Sequence, residues 1–229
     1  MTQLDSRKET LLKLTVRRYV KTAEPVGSAW LAEESGLDVS PATIRNELAA
    51  LEDGGFLVQP HTSAGRIPGE AGYRYYVKHF LERKKAAKET VESFREAFAG
   101  EMEDAERLRR AAKALAEEAQ AAALVGFGPR DVYYTGLTNL FSQPEFRQFA
   151  LVTSMSRVLD HLDETMEKMF PEVGSQVRIL IGSENPFGAE CGLLVARAPI
   201  GLLGILGPMR MDYDADAALL EAAVETLTT

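Results

Sequence analysis

The sequence has little cysteine and no long hydrophobic run. A single cysteine, Cys191, excludes an internal disulfide, and the apolar segment around it predicts a small buried side chain in a strand rather than a nucleophile. No apolar stretch approaches the length of a membrane-spanning helix, and the N-terminus lacks a basic start followed by an apolar run. We therefore expect a cytoplasmic globular protein without a membrane contact.

Histidine is also scarce, and this bears on catalysis. The three histidines, His61, His79 and His161, do not have the spacing of metal ligands, and no Ser/His/Asp or Cys/His set can be assembled. The glycine-containing segments GFGPR and GSENPFG lack the strand and helix context of a phosphate-binding loop. We therefore predict no enzyme activity, no metal and no cofactor.

The negative charge is unevenly distributed along the chain. The formal net charge is −8, yet residues 1–88 contain 14 Lys and Arg against 11 Asp and Glu, a charge of +3, and residues 89–229 contain 12 against 23, a charge of −11. A phosphate-binding surface needs only local positive charge. An acidic protein can therefore bind nucleic acid through its first part.

The first part of the chain predicts three helices. Apolar residues recur at helical spacing from Ser6 to Lys21, and a short helix over roughly Ala29 to Ser35 follows, with Ser28 at its N-cap. A third helix has Ser40 as its N-cap and proline in its first turn, and it ends at Gly54. A short turn therefore separates the second helix from the third.

A hairpin is predicted after these helices. The segment FLVQ indicates a strand, PHTSAGRIP indicates a polar loop, and Arg66-Ile67 can pair back as the second strand. Three helices and a hairpin in about seventy residues are typical of a winged helix-turn-helix, whose last helix enters the major groove.

The third helix carries candidate DNA-contacting side chains. Ile44, Leu48 and Leu51 lie at helical spacing and are predicted to point into the core. The opposite face then carries Ala42, Arg45, Asn46 and Ala49. An arginine fork fits guanine, an asparagine amide fits adenine, and alanine permits close approach. Ser40 and Thr43, near the helix N-terminus, are placed for a phosphate or a base.

The hairpin loop supplies further candidates. His61, Thr62, Ser63 and Arg66 can contact phosphate or enter a minor groove, and Gly65 is predicted to adopt a backbone conformation that other residues avoid. For His61, a surface histidine without a role is a comparable alternative. Winged helices also serve as protein-docking modules, so that alternative stays open, although the exposed Arg-Asn pair favours DNA.

The rest of the chain predicts further helices and strands. A helix from Gly69 to Lys85 precedes a long acidic helical stretch whose apolar residues fall on heptad seam positions. Those residues are Val91, Phe94, Phe98, Ala105, Leu108, Ala112, Leu115 and Ala119. The abundance of alanine favours a helix lying on its own domain over a seam with a second subunit.

The C-terminal part predicts strands at VYYTG, VRILIG, CGLLVARAP and GLLGILGP, with helices over roughly Glu145 to Phe170 and Ala215 to Leu227. The fold class is therefore α+β. We predict a winged helix-turn-helix in residues 1–70, a helical connector in residues 71–122, and a sheet domain in residues 123–229.

The segment TAEPVGSAWLAEESGLDVSPATIRNELAALEDGGFLVQPHTSAGRIPGEAGYRYYV resembles the N-terminal domain of the HrcA family of bacterial heat-inducible transcription repressors. TGLTNLFSQPEF, RILIGSENPF and GILGPMRMDY resemble later parts of that family in the same order. The resemblance implies a homodimeric repressor of chaperone operons that binds an inverted repeat named CIRCE in double-stranded DNA. It also implies a GAF-like C-terminal domain and the GroE chaperonin as a co-repressor.

Two departures from that family stand out. Its members are usually about half as long again and carry an inserted dimerisation domain, whereas here residues 121–128 run almost directly into YYTG. We expect that domain to be absent, so the GAF-like domain or the long helix must hold the dimer. Ala29 and Gly69 stand where a basic residue and threonine are common, which would remove one phosphate contact. A ligand-responsive regulator of other genes remains an alternative.

Overall fold

The computed structural model describes residues 4–62 and 64–228. The chain divides into two compact units, Met1–Leu81 and Glu82–Thr229. Among the described residues, no helix is both long and apolar enough to span a bilayer.

The described part of the first unit contains four helices and a two-stranded antiparallel hairpin. The helices are α1 (Ser6–Thr22), α2 (Ser28–Glu34), α3 (Pro41–Asp53) and α4 (Glu70–Phe80), and the strands are β1 (Leu57–Val58) and β2 (Ile67–Pro68). Leu57 pairs with Pro68, and Val58 pairs with Ile67. A third segment extends this hairpin, because Val26 and Arg66 exchange two backbone hydrogen bonds of 2.8 and 2.9 Å.

Helical periodicity accounts for the core of this unit. The buried side chains on α1 and α3 are Leu11, Leu12, Thr15, Val16, Ile44, Leu48 and Leu51. The bounds predicted for α1 and α3 are confirmed to within a residue. The predicted cap of the second helix is wrong, because α2 already includes Ser28 and has Gly27 at its N-cap without a side-chain hydrogen bond. The next helix ends at Phe80 rather than Lys85, because Leu81 leaves the helical conformation.

The second unit contains a five-stranded antiparallel sheet. Its helices are α5 (Lys88–Phe98), α6 (Asp104–Ala119), α7 (Leu137–Phe141), α8 (Phe149–Asp160), α9 (Leu162–Met169) and α10 (Tyr213–Thr228). Its strands are β3 (Ala122–Gly126), β4 (Val132–Thr135), β5 (Arg178–Ile181), β6 (Cys191–Ala198) and β7 (Gly201–Pro208), in the spatial order β4-β3-β7-β6-β5.

Helices cover both faces of this sheet. Helices α6 and α10 contact β3, β6 and β7. Alternate strand residues, including Leu193, Leu202 and Leu206, form a second apolar cluster with Leu162 and Met166 of α9. The central strands are therefore buried on both sides, which explains why β7 is a continuous apolar run rather than an alternating one.

The acidic helical stretch lies on its own unit. Phe94 and Phe98 of α5 and Leu108 and Leu115 of α6 are buried, because α5, α6 and α10 pack against one another. The segment predicted as a separate connector, 71–122, is instead divided, since α4 belongs to the first unit and α5 and α6 belong to the second. The single helix predicted near residues 145–170 is a 3₁₀ turn followed by α8 and α9.

Candidate nucleic-acid interface

The N-terminal end of α3 is capped as the sequence predicts. The Oγ of Ser40 accepts a hydrogen bond of 3.2 Å from the backbone N–H of Thr43, and the two hydroxyl oxygens lie 3.1 Å apart. Proline occupies the first turn, where its missing N–H leaves no partner unsatisfied. The cap fixes where α3 begins, and both hydroxyl groups lie at the accessible end of the helix.

Helix α3 has an apolar face and a polar face. Ile44, Leu48 and Leu51 are buried, whereas Ala42, Arg45, Asn46 and Ala49 are all exposed. Among the described residues, no ion pair or side-chain hydrogen bond involves Arg45 or Asn46. The guanidinium and carboxamide donors and acceptors are therefore available to an external partner.

Two ion pairs join α3 to α1. Glu47 of α3 pairs with Arg7 at 3.0 Å and with Lys8 at 3.1 Å. The pKa of Lys8 is raised mainly by its side-chain hydrogen bond to Asp5 and to a smaller extent by its hydrogen bond to Glu47. Glu47 is thereby held against α1, and Arg45 lies near the opposite side of the helix.

A groove of about 300 Å³ separates the polar face of α3 from the hairpin loop. Its lining residues are Val26, Gly27, Ser28, Arg45, Leu48, Gln59, Thr62, Ala64, Gly65 and Arg66. Arg45 on α3 and Thr62 on the loop therefore border the same groove.

Gln59 holds the conformation of the loop, and this role was not predicted from the sequence. Its side-chain amide donates to the backbone carbonyls of Thr62 and Ala64, both at 3.0 Å. The N–H of Ala64 donates to the carbonyl of His61 at 2.8 Å. His61 and Thr62 are exposed on this loop, and Ser63 lies outside the described residues. A polar side chain at the end of a strand, just before a proline, was the signal available in the sequence.

Gly65 is required by packing and not by its backbone angles. The prediction of an unusual conformation is wrong, because Gly65 is not among the described residues with positive φ. A Cβ at this position would overlap the carbonyl oxygen of Val26. Glycine therefore allows the close approach of the loop to the segment before α2.

Arg66 differs from the other predicted DNA-contacting residues. Its Nε lies 2.9 Å from Oε2 of Glu52 at the end of α3, and its side chain is only 14% exposed. This ion pair joins the hairpin to α3, so a phosphate would have to compete with Glu52 for the guanidinium.

In the described part of the second unit, no group of three or more His, Cys, Asp or Glu side chains could hold a metal ion. Burial, and then the charge of Glu190, raise the pKa of Cys191 to about 12. The prediction that Cys191 is a buried side chain in a strand is confirmed.

Comparison with known proteins gives consistent results. The family model described as HrcA protein C terminal domain matches residues 77–215, which is more than half of the chain. A heat-inducible transcription repressor HrcA from Carboxydothermus hydrogenoformans is 27% identical over 326 aligned residues, covering 95% of each chain. The protein of the same name from Desulfitobacterium hafniense is 26% identical over 336 aligned residues, covering 99% of this chain and 97% of its own.

Both alignments are longer than the 229 residues of this chain, so these relatives carry residues that have no counterpart here. A crystal structure of a protein described only as hypothetical shares the fold. It has a TM-score of 0.73 and 19% identity, and it covers 99% of this chain and 98% of its own. Because the family model covers most of the second unit and the relatives align along nearly the whole length, the chain belongs to the HrcA family.

Proposed function

We propose that this chain is a repressor of heat-shock transcription in the cytoplasm that binds double-stranded DNA through its first unit. In this proposal the first unit is a winged helix-turn-helix, with α3 as the recognition helix and the β1–β2 hairpin as the wing. The observation that carries the proposal is the exposure of Arg45 and Asn46 opposite the buried face of α3.

These side chains match the chemistry of base edges. A guanidinium donates to O6 and N7 of guanine, and a carboxamide both donates to and accepts from adenine. Ala42 and Ala49 flank them and leave space for the approach of a base pair. Phosphate contacts are proposed for the remaining predicted residues, which are Ser40, Thr43, His61, Thr62, Ser63 and Arg66, the last requiring release from Glu52.

The assembly proposed is a homodimer on an inverted repeat of the CIRCE type. Two copies of α3 would lie about one DNA turn apart, or a multiple of it, and the bound dimer would occlude the promoter of a chaperone operon. We further propose that the second unit is a shortened GAF-like domain that contributes to the dimer, and that the GroE chaperonin acts as a co-repressor. Family membership supports this assignment.

DNA binding by the full chain tests the proposal. Fluorescence anisotropy with a CIRCE-type inverted repeat and a scrambled duplex, at two salt concentrations, should show tighter binding to the repeat and weaker binding at higher salt. Equal affinity for both duplexes would exclude an operator-binding role for this chain. An absence of salt-dependent binding would favour the protein-docking alternative.

Two variants test the recognition face. Arg45→Ala and Asn46→Ala should each lower operator affinity by about 1–3 kcal/mol and relax base preference, because each removes a hydrogen bond to a base. Arg110→Ala, which changes an exposed arginine of α6, is the matched control and should bind as the unchanged chain does. Equal reductions in affinity for the operator and for scrambled DNA would mean that these residues contact only phosphate.

A further inference from the structure

The net positive charge of the first 88 residues comes from one short segment. Residues 1–81 contain 10 Lys and Arg against 10 Asp and Glu, so the first unit has a formal charge of zero. The surplus comes from residues 82–88, where four Lys and Arg follow Glu82. We call residues 83–88, with Arg83, Lys84, Lys85 and Lys88, the basic segment.

The cations of the basic segment are exposed and weakly paired. The side chains of Arg83 and Lys84 are 69% and 65% exposed, and their ion pairs are long, at 4.0 Å to Glu221 and 3.4 Å to Glu82. Lys85 and Lys88 are exposed and form no ion pair with any described residue. Pairs between exposed side chains contribute little stability, so the fold gains little from these four charges.

One of these cations is placed unfavourably for the fold. Lys88 is the first residue of α5, and Ala87 at the N-cap provides no side-chain hydrogen bond. The N-terminal end of a helix carries partial positive charge and disfavours a cation. The local structure therefore does not account for a lysine at this position.

We propose that the basic segment binds the phosphate backbone of the DNA whose bases α3 contacts. This inference rests on the proposed function. Along the chain, only Glu82 separates Arg83 from Leu81, the last residue of the first unit. A DNA-binding unit without net charge thereby acquires an adjacent cationic stretch that attracts a polyanion of any sequence.

The salt dependence of DNA binding tests this proposal with the full chain. In a triple variant, Lys84→Gln, Lys85→Gln and Lys88→Gln remove three exposed charges. The slope of log K against log salt should become shallower by about 0.9 for each phosphate that these lysines neutralise in the unchanged chain. The preference for the inverted repeat over a scrambled duplex should not change, because phosphate contacts carry no base information.

A matched control separates the basic segment from a general charge effect. Arg110→Gln, Lys113→Gln and Lys168→Gln remove three exposed charges elsewhere in the second unit, and this control should keep the slope of the unchanged chain. A thermal melt of each variant checks folding, and Lys85→Gln alone provides a milder second variant.

The two proposals fail in different ways. If the unchanged chain does not prefer the operator, the proposed function fails. If it does and the basic-segment variants keep its slope, the inference about the basic segment is overturned. A slope that becomes equally shallow in the control triple variant also overturns it, because the effect would then follow net charge alone.

Discussion

The hairpin loop has no room for a side chain at Gly65, because a Cβ there would meet the carbonyl of Val26. Gly65→Ala should separate the loop from the segment before α2 and destabilise the first unit by about 1–3 kcal/mol, the usual cost of overpacking. Denaturant unfolding measures this change, and DNA affinity should fall with it because the loop borders the groove beside Arg45.

Gly27→Ala is the control for this substitution. A Cβ at Gly27 would have no atom within 4 Å, so only a small destabilisation at the N-cap of α2 is expected. Equal destabilisation by both substitutions would contradict the role assigned to the close approach at Gly65.

Single residues differ in how far the sequence predicts them. The exposure of Arg45 and Asn46 follows from helical spacing alone, since the buried Ile44 and Leu48 fix the face. The pairing of Arg66 with Glu52 does not follow, because it depends on how the hairpin folds back onto α3. An arginine predicted to bind phosphate is therefore found in an internal ion pair.

At the scale of elements, the α5–α6 stretch supports the fold of its own unit. Leu108 of α6 is fully buried, and Leu108→Ala should destabilise the second unit by about 2–5 kcal/mol through the cavity it leaves. Chemical denaturation followed by circular dichroism measures this change. Lys113→Ala, at an exposed position of the same helix, should change stability little.

The oligomeric state of the same variant distinguishes the two interpretations of the heptad pattern. A seam within one unit predicts that Leu108→Ala lowers stability without a concentration-dependent dissociation of the proposed dimer. A change confined to the monomer–dimer equilibrium in sedimentation, with unfolding unaffected, would instead assign the seam to a second subunit.

Helices with caps and apolar spacing, and strands that are long apolar runs, were predictable from the sequence, and elements without these signals were not. Helices α1 and α3 combine caps with apolar spacing, and the central strands β6 and β7 are long apolar runs between turns. Strand β3 was not predicted because AALVG follows α6 after only two residues and contains small side chains. The break between α8 and α9 at His161 carries no glycine or proline to mark it.

At the scale of the whole molecule, one acidic group makes stability depend on pH. Asp216 is buried in α10, and desolvation first, then the charge of Asp212, raise its pKa well above 3.8. The folded state therefore holds this proton more tightly than the unfolded state. The stability that the protonated Asp216 contributes to the fold is fully present below about pH 3.8. It is lost as pH rises through the pKa of Asp216 in the folded state.

Asp216→Asn should remove that dependence. The variant should gain thermal stability relative to the unchanged chain as pH rises towards neutrality, and the difference should disappear in acid. Melting temperatures across this range provide the measurement, with exposed Asp160→Asn as the control. A difference between Asp216→Asn and the unchanged chain that does not vary with pH would contradict the direction assigned to this pKa.

The division of the chain was harder to predict than its elements. The acidic C-terminal part was evident from charge, but the boundary after Leu81 depends on where α4 and α5 bury their apolar faces. Tyr73 and Tyr76 are buried in the first unit, and Phe94 and Phe98 in the second. Periodicity identifies such faces without specifying the partner that covers them.

The burial of the only thiol has a practical consequence. Cys191 is 1% exposed and its pKa is raised to about 12, so maleimide reagents, which need a thiolate within reach, should leave it unmodified at neutral pH. A cysteine introduced at an exposed position such as Glu33 on α2 would then carry the sole spin label of each protomer. In the proposed homodimer, electron paramagnetic resonance could then measure the separation of the two copies of α2 in solution.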